Sequence, residues 1–242
     1  MTSVHASDRL YFRQLLSGQD FATADPLARQ MVNFCYLIGD RERGEALLVD
    51  AAYSVDDLLA ILEADGMRPA GVLATHYHPD HVGGSMGGMR IEGAAALLER
   101  VDVPIHVQRD EVPWVKRATG LQDADLVAHD SGDVVRVGDI EVRLLHTPGH
   151  TPGSQCFLVE GRLVSGDTLF LEGCGRTDLP GSDPVAMYET LTTRLAHVPG
   201  DTILFPGHRY SPEPSAPLDR VRRENYVFAP RSAEAWLAMF GR

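Results

Sequence analysis

The sequence predicts an α/β (α+β) fold built in layers, and three observations carry that reading. A chain of 242 residues with 44% hydrophobic and 23% charged residues has the length and balance of one large globular unit. Between Met31 and Ala74, apolar strand-like runs alternate with one amphipathic helical pattern. From Val134 to Ser165 the pattern changes to short, closely spaced strands joined by turn signals.

Met31–Ile38 and Ala46–Asp50 read as two strands joined by the polar turn Gly39–Gly44. Ser54 caps a helix running to about Ala64, with Asp57 at the capping-box position and Val55, Leu58, Leu59 and Leu62 on one face. Gly66 closes it, and Gly71–Ala74 follows as a short buried strand, completing a strand–helix–strand unit. Val82–Gly88 lacks the glycine order and the Lys-Ser/Thr of a phosphate loop and reads as a flexible segment. A helix from about Ile91 to Arg100, a strand Ile105–Gln108 and a short helix Val112–Ala118 come next, with Trp114 in a packing role. The strands Val134–Val137, Ile140–Leu145, Gln155–Val159 and Arg162–Val164 then follow, turning at Gly138-Asp139 and Glu160-Gly161. A helix from about Pro184 to Leu195, a strand Thr202–Phe205 and a Pro-rich tail from Ser211 with a weak helix at Ala233–Phe240 complete the chain.

The net charge of −12, with Lys116 as the single lysine, repels phosphate backbones, so nucleic-acid binding is not expected. No apolar run approaches the ~18 residues that cross a bilayer. Met1–Asp8 shows no charged-then-apolar signal pattern, so a cytoplasmic protein without membrane contact is expected, as a monomer or homodimer. Cys35, Cys156 and Cys174 are odd in number and widely spaced, which excludes a disulfide framework or a zinc knuckle.

The chemistry concentrates in Thr75-His76-Tyr77-His78-Pro79-Asp80-His81. In extended backbone, side chains two apart point the same way, so His76 and His78 converge on one point. Pro79 breaks the strand, and the turn after it aims Asp80 and His81 nearby. A lone histidine beside a strand is more often capped or solvated than a ligand. The pattern H-x-H-x-D-H, however, would arise by chance in on the order of one such sequence in a thousand. Imidazole and carboxylate are the donors that suit zinc, iron and manganese. His150, Asp167 and His208 each follow an apolar strand and small or proline residues, the same local design repeated three times.

With these motifs in hand, the chain from about Asn33 to His208 resembles the metallo-β-lactamase superfamily: H-x-H-x-D-H, a downstream His, G-D-T and P-G-H in that order. The resemblance implies a four-layer αββα sandwich, a catalytic domain over residues 1–210 and a short C-terminal extension, 211–242, packed on it. It implies two divalent metal ions, zinc first, with iron or manganese as alternatives. His76, His78 and His150 would hold one, Asp80, His81 and His208 the other, and Asp167 would bridge them. Asp50 would support the ligand loops through hydrogen bonds.

The main zinc β-lactamases carry cysteine where Asp167 stands, which argues against that activity. Gly166–Phe170 and Gly173–Asp178 look most like the glyoxalase II (hydroxyacylglutathione hydrolase) and persulfide dioxygenase branches. Glyoxalase II carries a longer helical C-terminal region that grips glutathione; 34 residues follow His208 here, so that grip is expected to be truncated or absent. The expected activity is therefore hydrolysis of a small thioester by a metal-bound hydroxide oriented by Asp80 and Asp167, the catalytic pair. Arg176, Thr177 and Tyr210 are the candidate substrate-binding residues. The alternative is a mononuclear iron dioxygenase acting on persulfides through His76, His150 and Asp167. Gly83-Gly84 after the histidines looks more hydrolase-like.

Overall fold

Runs such as Phe34–Asp40 and Glu45–Val49 are buried on both faces, which commits them to the inside of a layered structure. The computed structural model describes residues 8–241; Met1–Ser7, most of the segment read for a targeting pattern, lies outside them. The strands are β1 (Leu10–Leu16), β2 (Phe34–Asp40), β3 (Glu45–Val49), β4 (Arg68–Leu73), β5 (Gly84–Met86), β6 (Met89–Ile91), β7 (Ile105–Gln108), β8 (Leu126–His129), β9 (Val134–Val137), β10 (Ile140–His146), β11 (Gln155–Val159), β12 (Arg162–Gly166), β13 (Ile203–Pro206) and β14 (Ala216–Pro217). The helices are α1 (Pro26–Met31), α2 (Val55–Ala64), α3 (Pro79–Val82), α4 (Ala94–Leu98), α5 (Val112–Thr119), α6 (Pro184–Glu189), α7 (Leu218–Glu224) and α8 (Ala233–Phe240).

Two six-stranded mixed sheets result, in the orders β1-β2-β3-β4-β7-β8 and β14-β13-β12-β11-β10-β9. Strand alternation sorts their side chains into three apolar layers. Ile38, Leu47, Val49 and Leu73 of the first sheet meet Val142, Leu144, Phe157 and Val164 of the second between the sheets. The opposite face of the first sheet, Leu37, Leu48 and Val72, is covered by Leu58 and Leu62 of α2 and Leu97 of α4. The opposite face of the second, Cys156, Leu163 and Leu204, lies under Met187 of α6, Leu191 and the fully buried Trp236 of α8. The fold is the predicted αββα sandwich, of mixed α/β class. No helix among the described residues is long and apolar enough to cross a membrane.

Several expectations shift in detail. The strand expected from Met31 starts at Phe34, because α1 occupies Pro26–Met31 and Val32 closes it in a left-handed conformation (φ 50°). The segment expected to be flexible is the β5-β6 hairpin, turning on Gly87 and Gly88 at φ 58° and 82°, a turn that needs positive φ at both positions. Ile91 pairs with Gly84 in that hairpin, so the helix expected from Ile91 is limited to Ala94–Leu98.

The sheets bring their functional ends together. β3 pairs in parallel with β4, and β12 with β13, so the loops after them open on one edge. Backbone hydrogen bonds join the sheets there: Gln155 N to Thr75 O at 2.9 Å, Phe34 N to Gly207 O at 2.8 Å and Arg209 N to Val32 O at 3.0 Å.

Candidate metal centre

All seven residues predicted as ligands meet at this edge, in three overlapping groups. His76, His78 and His150 form one, Asp80, His81 and His208 another, and His76, His81 and Asp167 lie between them, with donor atoms within 4.8 Å in each group. In the first, His78 Nδ1 lies 3.0 Å from the Nε2 atoms of both His76 and His150. In the second, His81 Nε2 and His208 Nε2 are 3.2 Å apart, and each is 3.4 Å from Asp80 Oδ2. Asp167 faces both: Oδ1 is 3.4 Å from His81 Nε2, and Oδ2 is 3.3 Å from His208 Nε2 and 3.8 Å from His150 Nε2.

Four of the five inward imidazole edges are set by a bond at the far nitrogen. His150 Nδ1 donates to the Arg176 carbonyl and His208 Nδ1 to the Met31 carbonyl, both at 2.8 Å. His81 Nδ1 donates to Asp50 Oδ2 at 2.8 Å. The Thr75 hydroxyl donates to the same Asp50 oxygen at 2.6 Å, which leaves it to accept from His76 Nδ1 at 3.0 Å. Asp50 thus fixes two rings at once and also accepts from Thr75 N at 2.8 Å. This pattern turns Nε2 of four histidines toward the centre and makes them better donors.

The charges divide in the same way. Burial, with the neighbouring histidines adding to it, holds His76 well below the ordinary imidazole range and brings His78 down to about 4, so both are neutral donors. Burial also lowers His81, yet the charges of Asp80, Asp167 and Asp50 overcome it and raise that ring to about 10. His208 is raised likewise by Asp167 and Asp80 against its burial. Burial would raise Asp167, but His208 and His81 hold it below the usual carboxylate range. The pocket is built around positive charge. Asp167 Oδ1 is buried without a hydrogen-bond partner, a costly condition for an anionic oxygen that a cation would relieve. The donor set and this orphaned oxygen fit divalent metal.

A family model described as the metallo-beta-lactamase superfamily matches residues 28–208. The chain belongs to that superfamily. Its relatives there include hydroxyacylglutathione hydrolase of Rhodopseudomonas palustris, 37% identical over 181 residues that cover 74% of this chain and 63% of the hydrolase. The human mitochondrial persulfide dioxygenase ETHE1 is 32% identical over 208 residues, covering 82% and 74% of the two chains. The crystal structure of ETHE1 from Myxococcus xanthus matches with a TM-score of 0.76 at 29% identity, over 96% of this chain and 90% of that one. Hydrolase and oxygenase relatives thus stand at similar distances, and the chain spans less than two thirds of the hydrolase.

In this superfamily member the metal centre opens into a cavity of about 670 Å³, within the usual range for ligand pockets. Of the candidate substrate residues, Tyr210 and Arg176 line it and Thr177 does not. Tyr210 stacks on the His208 ring, with centroids 4.8 Å apart and planes 6° apart. Arg176 holds Asp178 through two 2.9 Å bonds, and the Thr177 hydroxyl donates to Phe240 O. Trp114 stacks on Tyr77, outside the cavity lining. Cys174 lines the cavity, but burial pushes its thiol up to about 12, so it is not a thiolate near neutrality.

Three supporting residues escaped the sequence reading. Asn33 Nδ2 donates to Asp80 Oδ2 at 3.0 Å across 47 positions, and Tyr53 OH sets the Asn33 amide by donating to its Oδ1 at 2.8 Å. Buried Glu111 accepts from Tyr77 N and Gly153 N, both at 2.7 Å, and so clamps the His76–His81 loop to the loop bearing His150. A charged residue at the edge of a helical pattern gives no local sign of such a role.

Proposed function

We propose that this chain is a metal-dependent hydrolase of thioesters, with His76, His78 and His150 holding one divalent ion, Asp80, His81 and His208 a second, and Asp167 shared between them. The observation that carries the reading is the second donor group. Asp80 is held by Asn33, His81 by Asp50 and His208 by the Met31 carbonyl, so these residues are as firmly aimed as the first three. In the one-metal reading only His76, His150 and Asp167 would hold iron, and the second group would remain without a ligand role.

When bound, the ions supply Lewis acidity and ionise water near neutral pH, zinc being the first candidate and iron or manganese the others. The chain supplies the rest. Asp80 and Asp167 orient the attacking water toward the acyl carbon, with Asp167 reaching both donor groups. A thiolate with a pKa near 8.5 leaves without a strong general acid, so the reaction needs no dedicated acid residue. Tyr210 and Phe170, in edge contact at 5.0 Å, wall the approach beside His208.

The test is metal analysis of protein purified without added metal, together with thioester turnover and oxygen uptake on a persulfide. Two metals per chain with thioester cleavage support the proposal. One iron per chain with persulfide-dependent oxygen consumption overturns it in favour of the dioxygenase reading, which the likeness to ETHE1 favours. His208→Ala is expected to remove most of the thioesterase rate, and an undiminished rate counts against the paired-metal arrangement.

A further inference from the structure

We infer that the thiol half of the substrate is neutral and apolar, not an anionic carrier such as a carboxylate-bearing peptide thiol or a phosphorylated one. The inference rests on the hydrolase reading and concerns the wall of the same cavity. Beyond the donors to the metal centre, the large side chains of that wall include Met31, Met86, Phe170, Leu179, Tyr210 and Tyr226. Tyr210 and Tyr226 are each 55% exposed, so they present aromatic surface at the mouth rather than filling a core. Met86 ends β5 beside the Gly87-Gly88 turn and lines the cavity with Ser85 and Gly87; a thioether there adapts to chains of varied shape.

The charges at the mouth point the same way. Among the described residues that line the cavity, Arg176 is the single Arg or Lys. Its guanidinium already makes a bidentate pair with Asp178, Nε to Oδ1 and Nη2 to Oδ2, both at 2.9 Å. A substrate carboxylate would have to displace Asp178 to gain the same two bonds, so little would be won. Exposed Glu172 also lines the cavity, so Arg176, Asp178 and Glu172 together leave one negative charge there. The chain's −12 net charge adds long-range repulsion of anions. Beyond the metal centre, a carrier bearing two carboxylates or several phosphates meets an Arg176 already paired and one facing acid, whereas a neutral carrier meets apolar surface.

The test compares two non-cleavable thioethers with the same alkyl group, S-hexyl-N-acetylcysteamine and S-hexylglutathione, by calorimetric titration of the metal-loaded protein. The neutral ligand is expected to bind about tenfold tighter at low ionic strength, and added salt is expected to narrow the gap by screening. Glu172→Arg, a change at an exposed position, is expected to tighten S-hexylglutathione binding several-fold and so shrink the difference further. Equal or tighter binding of S-hexylglutathione to the unaltered protein overturns the inference. Turnover of the matching hexanoyl thioesters is measured in parallel. If neither thioester is cleaved, the hydrolase reading fails, while the order of the two dissociation constants still decides the nature of the cavity wall.

Discussion

Replacing Asp50 with Asn tests how far hydrogen bonds outside the ligand set control metal affinity. Asp50 sits in the left-handed region at φ 56°, which Asn also tolerates, so the backbone has no reason to move. One oxygen of Asp50 accepts from both the Thr75 hydroxyl and His81 Nδ1, and the other accepts from Thr75 N. An Asn amide must turn its NH₂ toward one of those sets, so at least one donor faces another donor in either rotamer. Losing a buried hydrogen bond to a charged group costs about 1.5–3 kcal/mol. Spent on ring orientation, that amounts to roughly 10–100-fold in affinity, the range seen when partners of ligating histidines are removed. The assay is competition for zinc between the metal-free protein and a chromophoric chelator, with metal-free melting temperatures recorded alongside. The expected result is weakened zinc affinity with a smaller change in metal-free stability. An affinity within about threefold of the unaltered protein, beside a large drop in metal-free melting temperature, would refute the reasoning and leave Asp50 a purely structural residue.

Other expectations address the same scaffold. A Cβ added at Gly207 would lie 2.3 Å from Asp167 Oδ1, so Gly207→Ala is expected to push that carboxylate aside and lower bound metal per chain, read by elemental analysis. Burial raises Glu111 to about 7 from 4.5, so the folded chain keeps a proton that the unfolded chain releases; this stabilisation is full below pH 4.5 and lost as pH rises through 7. Glu111→Gln, the isostere of the protonated form, is expected to remove a pH-dependent loss on the order of 3 kcal/mol, read by urea unfolding at either end of that window; an unchanged slope counts against it. Trp236 is fully buried in α8 and donates to the Val227 carbonyl, so Trp236→Ala is expected to cost about 3–5 kcal/mol. In a chain of this size that lowers the melting temperature by roughly 10 °C, and a shift within error would mean that α8 is dispensable.

The layered fold was legible where strands declare both faces, as in Phe34–Ile38 with Glu45–Val49, and where turns such as Gly138-Asp139 mark hairpins. β1 was not, because its edge position leaves three half-exposed residues in the middle of the run and blurs the alternation. The helix α1 carried its signal in Asp25 and Pro26, cap and first position, but is only six residues long. β8, at the far edge of the same sheet, is too short to show a period. The seven predicted ligands were legible because each sits in a compact local motif. Asn33 and Glu111 were not, since what they bind lies 47, 34 and 42 positions away and only the folded chain makes them neighbours.

The stitching of Val32–Phe34 to Gly207–Arg209 gives the site an order of assembly. The His76–His78–His150 trio comes entirely from residues that precede β13 and His208 in the chain. The second trio can close only when that late strand docks beside β12 and reaches back to the first quarter of the chain. In the two-metal reading, retention of a second ion would therefore report that these two distant segments of the polypeptide have found each other.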